Sequence, residues 1–191
     1  MNKRMVLILY GPQGSGKGTQ AKILADKLGL FQWDMGAILR DEHDFKLTNG
    51  KTVGEIIDKG ILLADPELLE VIKHLLPNIS KDQGIIFDGI PRRIGQAKFL
   101  LDYLRSLGFV DFKTLFINVS REESMKRLML RAQIQKRVDD TPESIERRLK
   151  QYDELTAPLL EYLKTQMDVI TVNGDPPIPE VTKEINSALG I

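Results

Sequence analysis

The residues richest in chemistry come early, in the run Gly11-Pro12-Gln13-Gly14-Ser15-Gly16-Lys17-Gly18-Thr19. Glycines at this spacing let successive backbone N–H groups turn inward around an anion, and the lysine adds a point charge for the outer oxygens of a phosphate chain. The apolar run Met5 to Tyr10 precedes the loop as a buried-type strand, and Ala21, Leu24, Ala25 and Leu28 follow at helical spacing up to Gly29. A glycine-rich turn alone is weak evidence. Strand, G-x-x-x-x-G-K and helix start together predict a nucleoside triphosphate site, in which the helix N-terminus contributes roughly half a positive charge. Gly18 stands where many such loops carry the Ser or Thr that ligates magnesium, and Thr19 is displaced by one, so the metal is expected to be held by phosphates and water.

A second group is Phe87-Asp88-Gly89-Ile90-Pro91-Arg92-Arg93-Ile94-Gly95-Gln96. A carboxylate at the carboxyl end of a sheet strand sits where α/β proteins bind ligands, so Asp88 is placed to orient magnesium waters. Gly89 and Pro91 impose a turn that aims Arg92 at a phosphoryl group, and Gln96 offers a donor and an acceptor to a base edge. Read alone, Asp88 serves equally well as a helix cap and Arg92 as half of a surface ion pair. Between Arg121 and Lys150 there are nine Lys or Arg against six Asp or Glu. Arg121, Lys126, Lys136, Arg147 and Lys150 read as a solvated helix face, with i,i+4 pairs such as Glu123 with Arg127. Arg127 and Arg131 share a helical face, and Arg137 and Arg148 flank the start of the next helix.

The elements that must position these groups follow from periodicity. Strand-length apolar runs recur at Met5 to Tyr10, Ile85 to Phe87, Thr114 to Val119 and Val169 to Val172, each followed by helical spacing, which predicts an α/β fold with a parallel sheet. A helix is expected from Asp65 as N-cap and Pro66, another from near Asp140 to Pro142 with Ile145, Leu149, Tyr152 and Leu155 or Leu159 toward the core, and a last one after Pro177 ending at Gly190. The stretch Trp33 to Asp65 has helical pieces but no strand-like run, and reads as a flap on the sheet. With 191 residues one domain is expected, and 27 Lys+Arg against 27 Asp+Glu removes the basic field that nucleic-acid binders carry. There is no cysteine, and His43 and His74 alone make no zinc site, so the chemistry falls to Lys, Arg, Asp and backbone. No apolar run has membrane length, and no signal-peptide pattern opens the chain; a cytoplasmic address, without membrane or nucleic-acid partners, is expected.

The loop Gly11 to Gln20, the Asp88 to Gln96 motif and the run Arg137-Val138-Asp139-Asp140 together resemble the nucleoside monophosphate kinases, most closely the adenylate kinases of the short-lid type. The resemblance runs over essentially the whole chain. It implies a P-loop NTPase fold, with core 1–33, 64–131 and 138–191, a helical acceptor-binding flap at 34–63 and a short lid at 132–137. It implies reversible, Mg2+-dependent transfer of the γ-phosphoryl of ATP to AMP, giving two ADP, by a monomer. The alternatives are a UMP/CMP kinase with the same chemistry and a non-catalytic nucleotide-binding protein. On matching positions, Gly14, Ser15, Gly16, Lys17, Gly18 and Thr19 hold the ATP phosphates, with Arg127, Arg131 and Pro176 on the donor nucleotide. Met35, Arg40, Ile61, Leu62, Leu63, Gly89, Ile90, Pro91, Arg92, Gln96, Arg137 and Arg148 surround AMP. Lys17, Arg92, Arg127, Arg131, Arg137 and Arg148 carry catalysis, Asp139 and Asp140 orient guanidiniums, and Asp88 reaches the metal through water. The lid is read as a short turn from Ala132 to Lys136. One departure bears on the base, Met35 in place of a usual Thr or Ser hydroxyl, while Gln96, where UMP/CMP kinases carry Asn, favours adenine. Trp33, the only tryptophan, is either a reporter of flap closure or a core residue.

Overall fold

Alternation along the strands decides which side chains reach which face of the sheet. In the computed structural model, which describes residues 4–59, 61, 63–79, 82–135 and 141–191, Val6, Ile8 and Tyr10 of β1 (Met5–Tyr10) pack on one side and Leu7 and Leu9 on the other. The same alternation splits Ile85 and Phe87 from Ile86 in β3 (Ile85–Asp88), and it repeats in β4 (Asp111–Asn118). With β2 (Phe31–Asp34) and β5 (Asp168–Asn173) these strands form one parallel sheet in the order β2-β3-β1-β4-β5. Burial on both faces explains why β1 reads as a continuous apolar run.

Helices α1 (Lys17–Leu28) and α9 (Ile178–Leu189) cover the Leu7 and Leu9 face. The other face is covered by α4 (Asp65–Leu75), α5 (Ile94–Ser106) and α8 (Ala157–Gln166), through Val71, Ile72, Leu100, Leu104, Leu159 and Leu163. Each of these fully buried aliphatic side chains contributes about 1.5–3 kcal/mol by leaving water. Two short helices, α2 (Met35–Asp41) and α3 (Val53–Ile57), follow β2; α6 (Arg121–Gln135) and α7 (Pro142–Gln151) pack on each other through Leu128, Ile145 and Leu149. A π-helical turn, Tyr152–Thr156, joins α7 to α8, and the Tyr10 hydroxyl donates to the Thr156 carbonyl inside it. Among the described residues no helix is long and apolar enough to cross a membrane.

Three sequence expectations change. The stretch from Trp33 was read without a strand, yet Trp33 and Asp34 belong to β2, an edge strand of four residues. Trp33 is 1% exposed, packed on Phe87 with its indole N–H donated to the Met35 sulfur, and is therefore a core residue. Asp65 is the first residue of α4 rather than its cap, because its carboxylate is engaged by α5; Glu67 instead accepts the Ala64 N–H. Ala132 to Gln135, read as the start of a turn, continues α6, as expected of four residues that include neither Gly nor Pro. The helix expected to begin near Asp140 to Pro142 does so, at Pro142, capped by Thr141, whose hydroxyl accepts the Ser144 N–H. Arg137, Asp139 and Asp140 lie outside the described residues, as do Leu62 and Lys136.

Candidate functional site

At the carboxyl ends of β1 and β3 the chain leaves the sheet twice, and register places Leu9, Asp88 and Asp34 in one row there. The turn after β1 folds tightly. Gly14 has φ +83°, and a Cβ on it would lie 2.7 Å from the Ser124 carbonyl at the base of α6, so only glycine fits. Gly16, also left-handed, precedes Lys17 with no side chain capping α1, which leaves the helix N-terminus available to an anion. The sequence thus builds an anion site from backbone alone.

Lys17 folds back over this turn. Its ammonium donates to the carbonyls of Gly11 and Pro12, both at 2.7 Å, and to the Ser15 hydroxyl at 3.3 Å. Burial brings its pKa down from 10.5 to about 8; Asp88 opposes the shift, and Arg92 and Arg131 add to it. Ser15 is itself buried, so the side chain faces Lys17 rather than the open basin.

Asp88 caps no helix: Asp34 caps α2, accepting the Ala37 N–H at 3.0 Å. Burial raises the Asp88 carboxyl above the usual range and Asp34 adds to the rise, while Lys17 and Arg92 hold it down. Its Oδ2 would stand 3.2 Å from a Cβ on Gly18, so the carboxylate abuts the start of α1. Among the described residues Arg92 forms no surface ion pair. Its Nε donates to the Gly89 carbonyl at 2.9 Å, and burial lowers its pKa, opposed by Asp88 and reinforced by Arg148 and Arg93.

These groups face an open basin of about 1810 Å³. Its lining includes Gly14, Gly16, Lys17, Gly18, Thr19, Arg40, Ile61, Asp88, Gly89, Arg92, Arg127, Arg131 and Arg148, which brings together most of the residues expected from sequence. Ten Lys or Arg line it against four Asp or Glu, a strongly cationic wall on a chain of zero net charge. Arg127 is bound on both sides, to Glu123 at 2.8 Å and to the carbonyls of Gly174, Asp175 and Pro176, so Pro176 meets the site through Arg127.

The expected base-reading residues are arranged differently. Met35, Leu63 and Ile90 are buried in the main core, Pro91 is buried too, and among the described residues of the flap's apolar group Ile61 stands open, at 56% exposure. Gln96 is 4% exposed: its Oε1 accepts the Arg92 N–H at 2.8 Å, and its Nε2 donates to Asp65 at 3.0 Å. In this arrangement one edge of its amide is spent within the protein.

Sequence reasoning missed Lys59, Arg93, Lys126, Arg147 and Gln151, all of which line the basin. A usable signal existed for α7, since Ser144, Arg147, Arg148 and Gln151 recur at i, i+3, i+4, i+7, opposite Ile145 and Leu149. For magnesium the donor set is one carboxylate: among the described residues no three His, Asp or Glu are close enough to hold a cation. That fits an ion bound mainly by phosphates and water, with Asp88 reaching it through water.

A family model described as "Adenylate kinase" matches residues 9–168. An adenylate kinase of Cyanothece sp. is 37% identical over 179 residues, covering 94% of this chain and 92% of the relative. One of Maricaulis maris is 37% identical over 97% of this chain and 98% of its own, and one of Thermus thermophilus 36% over the whole of both. A backbone-built anion site, a cationic basin and matches that run nearly end to end point the same way: the chain belongs to the adenylate kinase family.

Proposed function

We propose that the basin carries out reversible transfer of the terminal phosphoryl group of ATP to AMP, yielding two ADP. The observation that carries this reading is the meeting of Lys17, Asp88 and Arg92 at the ends of adjacent strands, in a basin lined by ten cationic side chains, on a chain of this family. The phosphoryl group in flight spreads charge over three oxygens and needs little covalent help, so the protein's work is positioning and cation placement.

The backbone from Gly14 to Thr19 holds the donor's phosphates at the start of α1. Lys17 exchanges its loop carbonyls for phosphate oxygens as they arrive. Arg40 and Arg92 hold the acceptor phosphate, and Arg131, Arg137 and Arg148 follow the transferring group. Arg127, fixed to the 174–176 carbonyls, walls the donor base. Asp88 would hold magnesium through water, and the ion would supply charge neutralisation to the triphosphate. Gln96 reads the acceptor base with whatever donor and acceptor capacity Asp65 and the Arg92 N–H leave it. Residues 34–63 and 132–137 close over the nucleotides to exclude water, which would otherwise hydrolyse the triphosphate. ATP and AMP are nucleotides of the cytoplasm, where this enzyme would act, as a monomer.

A coupled assay over AMP, CMP and UMP with ATP and magnesium tests this. AMP is expected to be the fastest acceptor; a faster rate with CMP would overturn the acceptor assignment. Omitting magnesium should abolish turnover of ATP with AMP.

A further inference from the structure

Arg147 has a partner on offer in sequence, since Glu143 stands four residues earlier, the favourable order for a helical ion pair. The pair does not form, and Arg147 makes no hydrogen bond or ion pair among the described residues. Nearby acids are engaged elsewhere: Glu146 and Asp153 hold Arg121, and Glu154 holds Lys150. Arg147 lines the basin instead, on the stripe Ser144, Arg147, Arg148 and Gln151, while Ile145 and Leu149 point the other way into packing with Leu128.

The exposed Arg147 guanidinium stands next to Arg148 in a basin lined by ten cationic and four acidic side chains, and no carboxylate among the described residues pairs with it. A helix face that turns Arg147 and Arg148 toward one concavity suits an anion held there. We propose, on the phosphotransfer reading above, that Arg147 is a further phosphate ligand, binding non-bridging oxygens of the donor and acceptor phosphate chains beside Arg148. The planar fork suits this, because two N–H groups reach one phosphate together.

The test uses the full chain with Arg147→Gln and Arg147→Lys, and a linked diadenosine pentaphosphate as probe, with binding by calorimetry at two salt concentrations, turnover and melting temperature. Arg147→Gln is expected to weaken the probe roughly tenfold to a hundredfold and to flatten its salt dependence. Arg147→Lys should recover part of the loss, and neither variant should move the melting temperature. Equal binding by Arg147→Gln and the unaltered chain would overturn this inference alone. So would a loss matched by a lower melting temperature and not recovered by lysine, which would assign Arg147 to packing. Failure of the unaltered chain to bind the probe would overturn the phosphotransfer reading itself.

Discussion

Lys17 and the turn around it hold their geometry before any ligand arrives: the ammonium is bonded to carbonyls of its own loop, and Gly14 rests on the Ser124 carbonyl. The cations of α6 and α7 sit instead on long side chains along helix faces, some tied down, as Arg127 is, and some extended into the basin, as Arg147 is. The first region spends covalent geometry to fix position; the second spends side-chain freedom to supply charge. Ordering a rotamer-rich side chain costs on the order of 1–2 kcal/mol, a cost the backbone turn has already met on folding. On the proposed function, this difference divides the work: the loop would locate the donor phosphates and the wall would supply charge to the transition state.

The sharpest way to break that division is Lys17→Met. Turnover should fall on the order of 10³-fold or more with a nearly unchanged melting temperature, and retained activity would show that the loop's lysine is not the fixed reference point. Next is Arg148→Gln or Arg92→Gln, expected to cost roughly 10²- to 10³-fold in kcat with intact folding. A loss in KM only would mean that the wall binds ground states rather than the transferring group.

Gly14→Ala and Gly16→Ala sharpen the loop side. Both residues are left-handed, but only at Gly14 does a Cβ strike backbone, so Gly14→Ala should cost about 1–3 kcal/mol and most activity, and Gly16→Ala about 1 kcal/mol. Chemical denaturation with parallel assays checks the pair. A smaller effect is set by pH. With Lys17 at about 8 in the free enzyme, kcat/KM should fall about tenfold per unit above that value, and Lys17→Arg should shift the limb out of range. Between about 8 and 10.5 the unfolded chain keeps a proton the folded lysine has shed, so this group raises stability as pH climbs through that window. Smallest of all, saturating linked diadenosine pentaphosphate should leave Trp33 emission at the wavelength of a buried indole, as read by fluorescence, because Trp33 belongs to the sheet core.

The loop was legible in sequence because its chemistry is local: glycines, lysine, strand and helix all lie between Met5 and Leu28. Asp88 and Arg92 were legible only through the resemblance, since their residue types alone suit a helix cap and a surface ion pair equally well. β2 was not, since four edge residues that bury only Trp33 carry too little alternation to separate strand from loop. Nor was the state of Gln96, because Asp65, which takes its amide, stands 31 positions earlier and meets it only after α4 and α5 pack. Arg147 was read as part of a solvated helix face and is indeed exposed, but the face it shares with Ser144, Arg148 and Gln151, which also lines the basin, went unread.

The π-helical turn at Tyr152–Thr156 has a geometric corollary for the arginine wall. A turn that takes in one extra residue rotates everything beyond it by roughly 100° about the helix axis. It lets one rod seat Ile145 and Leu149 against Leu128 and then, past the turn, seat Leu159 and Leu163 in the sheet core. The compass bearing of Arg147 and Arg148 is therefore set by a count of residues. Removing a single residue from that turn would swing both guanidiniums off target while leaving every contact of the phosphate loop in place.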